Sequence, residues 1–231
     1  MLIINQCVIS VPVARYIKSN LFILEFKSSL LEDTYSSIEN PTPESFFKEK
    51  GSKFFGYGFP VENEVHVKEA IEKLKRQHPT AGHFCYAWQL GFKDPIFKVN
   101  DDGEPNNSAG PSIHGQIRSF NLTNILVVSV RYFGGTKLGV GGLKQAYKHS
   151  AQITLAAATT VEKTIDVYYQ LNFDHALMNQ VMRIIKEKKI KILSQDLALA
   201  CVLKIAIRKR DVQEVMNRFD RLYKVNTKKI I

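Results

Sequence analysis

The segment Asn124–Tyr147, NILVVSVRYFGGTKLGVGGLKQAY, reads as three successive pieces of backbone. Ile125–Val130 is an apolar run of strand length, interrupted only by Ser129 and closed by Arg131, Tyr132 and Phe133. Five glycines follow (Gly134, Gly135, Gly139, Gly141 and Gly142), and a helical pattern begins at Gly142. This is a buried strand, a glycine-rich turn and a helix amino terminus. Glycines let a partner come close to the backbone, and the free N–H groups of a helix start, with the dipole behind them, attract anions. Arg131, Lys137 and Lys144 add full positive charge. The candidate anion-binding set is therefore Arg131, Tyr132, Gly134, Gly135, Lys137, Gly139, Gly141, Gly142 and Lys144. The competing reading is a tight strand-to-helix turn that needs glycine only for its geometry.

Two nucleotide motifs fail against these residues. A P-loop requires Lys and then Ser or Thr directly after its last glycine, whereas Val140 and Gly141 follow Gly139. The dinucleotide fingerprint requires a third glycine where Lys144 stands. A P-loop triphosphatase and a Rossmann cofactor site are both set aside.

Upstream, Lys53–Val61 reads as a strand, and Asn63 caps a helix with Val67, Ile71 and Leu74 on one face, stopped at His78-Pro79. His83–Leu90 and Ile96–Val99 read as strands, Asp101–Gly110 as a polar loop and Ser112–Phe120 as a short helix. The loop crowds Asp101, Asp102 and Glu104 beside Gly103 and Pro105. Such carboxylates can hold magnesium or act as acid and base, or form an ordinary turn with a solvated acidic rim. His83 and Cys85 share a strand face, either as a nucleophile pair or half a metal site, or with Cys85 as a small buried hydrophobe. The acidic and glycine-rich loops are expected to face one another across a groove. Arg131 would there hold a phosphate or pair with Asp102 or Glu104 in a buried salt bridge.

Downstream the order is β-α-β-β-α-β, with strands near Ile165–Phe173, Lys189–Gln195, Ala198–Ile207 and Tyr223–Lys229. The intervening helices are led by Asp174 and by Arg210-Asp211. That order is the ferredoxin-like unit, and it puts a domain boundary near Thr159–Lys163. Residues 164–231 carry 14 Lys and Arg against 7 Asp and Glu, most of the chain's net charge of +10. Arg208, Lys209 and Arg210, with Arg218, Arg221 and Lys224, form a candidate nucleic-acid patch, or a solvated cationic face used only for solubility.

The chain's 231 residues, 45% of them hydrophobic, can fill real cores. Cys7, Cys85 and Cys201 lie far apart with no C-x-x-C pair, which speaks against a disulfide framework or structural zinc and fits a reducing cytoplasm. The apolar runs fall well short of the roughly eighteen residues of a membrane span. Residues 1–33 are an atypical extension. Their apolar patches are broken by polar residues and match no signal peptide. They read as an upstream segment from an over-early start or as an extra hairpin.

Taken together, HPTAGHFCYAW at His78–Trp88, DDGEPNNSAG at Asp101–Gly110 and RYFGGTKLGVGGLKQAY at Arg131–Tyr147 resemble the YigZ/IMPACT family from about Tyr35 onward. One local departure is Asn107, which tolerates the left-handed region and can keep the turn. The resemblance implies an α+β fold. Its first domain, residues 34–160, is like the second domain of ribosomal protein S-five, and its second, residues 164–231, is a ferredoxin-like βαββαβ module like one of elongation factor G. It also implies a cytoplasmic regulator of translation that binds RNA or a ribosome-associated partner, needing no cofactor or metal, with no catalytic residue assigned. The alternative is an enzyme acting on a phosphorylated small molecule or RNA end at the glycine-rich loop.

Overall fold

The computed structural model describes residues 33–230, so the expected extension before Asp33 lies outside the described residues. Two compact units result. One runs from Thr34 to Lys163, and the other holds Thr164 onward together with Asp33.

The first unit is built on β2 (Ser45–Glu49), β3 (Ser52–Pro60), β4 (His83–Leu90), β5 (Ile96–Asn100) and β6 (Ile125–Tyr132), in the order β2-β3-β6-β4-β5. Every neighbouring pair is antiparallel. The central β6 is covered on both faces, which is why its sequence is apolar without alternation. Ile125 and Val127 enter a core with α2 (Gly110–Ser119) and α3 (Gly139–Ala156), contributed by Ile113, Ile117, Leu143, Ala146, Tyr147 and Leu155. Leu126, Val128 and Val130 enter the opposite core with Val67 and Leu74 of α1 (Glu64–Gln77). Each such side chain, fully buried, contributes about 1.5–3 kcal/mol. Asn63 caps α1 as expected, its side chain accepting from the Val65 and His66 amides at 2.9 and 3.0 Å.

Three five-residue strands were not expected: β1 (Thr34–Ile38), β2 and β7 (Thr160–Thr164). β7 occupies the stretch read as a domain boundary and pairs with β1 in a separate two-stranded sheet. That pairing joins segments more than a hundred residues apart, so no local pattern announces it. α3 also starts at Gly139 rather than Gly142.

The second unit contains β8 (Asp166–Phe173), α4 (Met178–Glu187), β9 (Lys191–Asp196), β10 (Cys201–Arg208), α5 (Val212–Asp220) and β11 (Asn226–Lys229). Its antiparallel sheet has the order β11-β8-β10-β9, the ferredoxin-like arrangement. The α+β expectation therefore holds. Leu171, Phe173, Cys201, Leu203, Ile205 and Ile207 point to the helical face and meet Val181, Ile184, Ile185, Val215 and Phe219. The alternate residues, among them Tyr168, Gln170, Lys204 and Lys228, point to the other face. The expected third strand of the tail starts at Cys201 instead of Ala198, because Ala198–Ala200 forms the turn from β9.

Candidate functional site

The acidic loop joins β5 to α2, and its carboxylates are committed to its own architecture. Asp101 accepts from the amides of Asn107, Ala109 and Gly110 at 2.7, 2.8 and 2.8 Å, which caps α2 from a distance. The cap residue Ala109 has no polar side chain to do this. Asn107 holds the left-handed conformation expected of it, φ 61°. Asp102, at φ 40°, accepts from the Phe84 amide at 2.6 Å, while its carbonyl accepts from His83 Nδ1 at 2.8 Å. Both carboxylates thus pin the loop, Asp102 to β4 and Asp101 to α2.

Glu104 turns inward. Its Oε1 accepts from Arg131 Nη1 and from the Tyr147 hydroxyl, both at 2.6 Å, and His83 Nε2 lies 3.9 Å away. The Glu104 and Arg131 side chains are each only 4% exposed. The Arg131 guanidinium also donates to Ser52 Oγ at 3.1 Å, and its centre lies 5.6 Å from the ring centroids of both Phe54 and Phe133. Arg131 is therefore a buried, paired residue and not an exposed phosphate ligand; of the two roles open to it in the sequence, the salt bridge to Glu104 is the one formed. Its Nε is buried with no hydrogen-bond partner among the described residues.

Cys85 donates its thiol to the Asp101 carbonyl at 2.9 Å and is fully buried. Burial, reinforced by the nearby carboxylates, pushes the thiol well above its ordinary pKa, which keeps it neutral. Burial likewise raises the Tyr147 hydroxyl far above its usual range, which keeps it a proton donor to Glu104.

The glycine-rich loop leaves this network at its root. Ser52 Oγ accepts from the Gly134 amide at 3.2 Å as well as from Arg131, so the acidic loop, Arg131 and the base of the glycine loop meet around two side chains. Gly134 is required by packing: a Cβ there would lie 1.9 Å from the carbonyl carbon of Gly51. Gly135 and Gly139 have φ of 86° and 71°, and a Cβ on Gly142 would come within 3.2 Å of Leu138 Cβ. Gly141 differs. It lies in the first turn of α3, shows no left-handed φ, and a Cβ there would meet nothing within 4 Å. The first turn of α3 has no side-chain cap, and its cap residue is Leu138. Lys137 and Lys144 are exposed and make no ion pair among the described residues.

Tyr132 falls on the opposite sheet face from Arg131, as strand alternation demands. Its hydroxyl lies 2.9 Å from His78 Nδ1, and His78 Nε2 lies 2.6 Å from the Tyr57 oxygen. Tyr57 in turn donates to Glu44. Because the Tyr57 proton points to Glu44, His78 Nε2 must carry a proton toward Tyr57 and Nδ1 must accept from Tyr132. Desolvation lowers the His78 pKa and, with the Glu44 carboxylate beside it, raises that of Tyr57. Glu44, Tyr57 and His78 were missed as a cluster, as were Ser52 and Tyr147. In the sequence His78 stands as a helix stop and as the first residue of the HPTAGHFCYAW motif, and no spacing links it to Tyr57.

In the second unit the expected basic patch divides. Arg208 and Arg210 pair with Asp33, the latter at 3.7 Å, ahead of α5; Arg218 pairs with Glu187 near the end of that helix. Arg218 is the seventh residue of that helix, so roughly 9 Å of helix rise separates the two halves. Lys209 lies with Arg210 in the turn before α5, and Arg221 and Lys224 follow the helix. Lys224 sits 5.7 Å from the Tyr223 ring centroid.

The pattern of the Impact N-terminal domain matches residues 50–155, a span that contains both loops. The chain is 34% identical over 138 residues to the IMPACT family member YvyE of Bacillus subtilis, 60% of this chain and 64% of that protein. It thus spans just under two thirds of YvyE. It is 32% identical over 150 residues to the IMPACT family member YigZ of Escherichia coli, 64% of this chain and 74% of that one. A crystal structure described only as that of a hypothetical protein is 26% identical, with a TM-score of 0.69 over 87% of this chain and 99% of its own. No helix among the described residues is long and apolar enough to cross a membrane.

Proposed function

Because this chain belongs to the IMPACT family, we propose that it is a cytoplasmic protein that acts in the regulation of translation by binding RNA or a ribosome-associated partner. The observation that supports this most is the start of α3. An uncapped helix end flanked by exposed Lys137 and Lys144 is suited to a phosphate. Gly141 stands there although neither backbone conformation nor a neighbouring atom requires glycine. Glycine in a helix costs about 1 kcal/mol relative to alanine, and one place where that cost is tolerated is a surface that another molecule's backbone or phosphate approaches closely. Arg131 and Glu104 would then serve as the rigid footing of the loop, one shell beneath the ligand.

Sedimentation of the full chain with purified ribosomes through a sucrose cushion tests the proposal. The wild type should pellet with ribosomes at low salt, and Lys137→Glu with Lys144→Glu should release it. Binding to unwashed but not to salt-washed ribosomes would identify a ribosome-associated protein as the partner. A chain that stays in the supernatant with both preparations at low salt overturns the reading.

A further inference from the structure

The sheet of the second unit has one face packed by α4 and α5 and another built from different chemistry. Strand register sets that second face out in rows. Lys228, Gln170, Lys204 and Ser194 lie side by side across β11, β8, β10 and β9, and Tyr168, Ala206 and Lys191 form the adjoining row. Tyr168 is 40% exposed, and its cross-strand neighbour Ala206 is too small to cover the ring. Lys191, Lys204 and Lys228 are exposed and make no ion pair or hydrogen bond among the described residues. Lys204 and Lys228 stand two strand spacings apart, roughly 10 Å. The carboxylates on this face, Asp196 and Asp166, sit in its outer rows, the latter opposite Arg208. The Gln170 amide donates to Asn172 Oδ1 at 3.0 Å, and among the described residues the Gln170 side-chain carbonyl oxygen and the Asn172 amide protons have no hydrogen-bond partner.

We propose that this face binds single-stranded RNA, with a base stacked on Tyr168, phosphates held by Lys191, Lys204 and Lys228, and base edges met by Gln170 and Asn172. A four-stranded sheet carrying an exposed ring among lysines combines what single strands need: a stacking platform and cations for the backbone. Duplex RNA hides its base faces and offers the ring nothing. This site is separate from the arginine clusters at the ends of α5, which are largely consumed by Asp33 and Glu187. The inference rests on the reading above that the chain binds RNA, but it is tested by a different measurement.

The measurement is fluorescence anisotropy of the full chain with a labelled twelve-nucleotide oligouridine and with a duplex of equal length. The single strand should bind more tightly. Tyr168→Ala should weaken it about 5- to 150-fold, and Tyr168→Phe should restore it. Lys204→Gln with Lys228→Gln should make the slope of log K against log salt shallower by about 1.4, two phosphates' worth. Circular dichroism melting checks each variant, and should Tyr168→Ala fail to fold, the lysine pair decides. If wild-type binding survives Tyr168→Ala with its salt slope unchanged in the lysine variant, or if duplex is preferred, the sheet face is not the site, while ribosome pelleting continues to stand or fall by itself. Absence of oligouridine binding by the wild type overturns the inference outright.

Discussion

Truncating Arg131 to alanine should cost the first unit about 3–5 kcal/mol. The reason lies in what is left behind. Glu104 accepts from Arg131 and Tyr147 and is 4% exposed in its side chain, so removal of the guanidinium strands a carboxylate where water does not reach. Breaking a buried pair by deleting one partner costs that much because the remaining charge is uncompensated. Ser52 Oγ loses a donor as well, and Phe54 and Phe133 lose the guanidinium between them. With a urea m-value of about 1–3 kcal/mol/M, the unfolding midpoint should fall by at least about 1 M. Glu104→Gln should also destabilise, since it leaves a buried guanidinium facing a neutral amide. A double-mutant cycle with Arg131→Met should return a coupling of about 1–3 kcal/mol, as contacting residues do. Near-wild-type midpoints for both single variants, with no coupling, would refute the buried pair and restore Arg131 as a group facing an anion.

Four further outcomes follow from individual residues. Gly134→Ala should destabilise by about 1–3 kcal/mol, because its Cβ would overlap the Gly51 backbone. Gly141→Ala should instead stabilise by about 0.4–1 kcal/mol while weakening ribosome pelleting, and unchanged pelleting would remove Gly141 from the proposed surface. Asp101→Ala should cost about 1–2 kcal/mol by uncapping α2, checked by the urea midpoint. His78 has a folded pKa below its unfolded value of about 6.5. Over the interval between those two values the unfolded chain binds more protons, so stability is fully present above about pH 6.5 and is lost as the pH falls toward the folded pKa. His114, lowered by burial with Arg118 adding to it, contributes with the same sign. Midpoints at pH 7.5 and 5.5 should differ in that direction, and His78→Asn should shrink the difference; an equal difference in the variant would show that His78 does not titrate in this way.

What could be read locally was read correctly where one period or one cap decides the backbone. β6 and β4 kept their expected limits because each is a mostly apolar segment of strand length bounded by polar or turn residues. Asn63 capped α1 because its side chain needs only its own neighbours, and the tail's alternation of periods led to the ferredoxin-like order. β1 and β7 were not legible, since each is short and draws its stability from a partner distant in sequence. The candidate site divides along the same line. The sequence located both loops and their charges, and from the IMPACT motifs their company, yet it left Arg131 open between ligand and salt bridge. Only tertiary packing decided this, by closing Tyr147 of α3 and the acidic loop over the strand end, so that the same guanidinium that would have met an anion in water is held by Glu104. The basic tail shows the reverse. Composition alone established its charge, but folding set Arg208, Arg210 and Arg218 against Asp33 and Glu187 and left the lysines of the sheet exposed, because pairing depends on which side chains the fold brings within reach and not on how many cations the sequence holds.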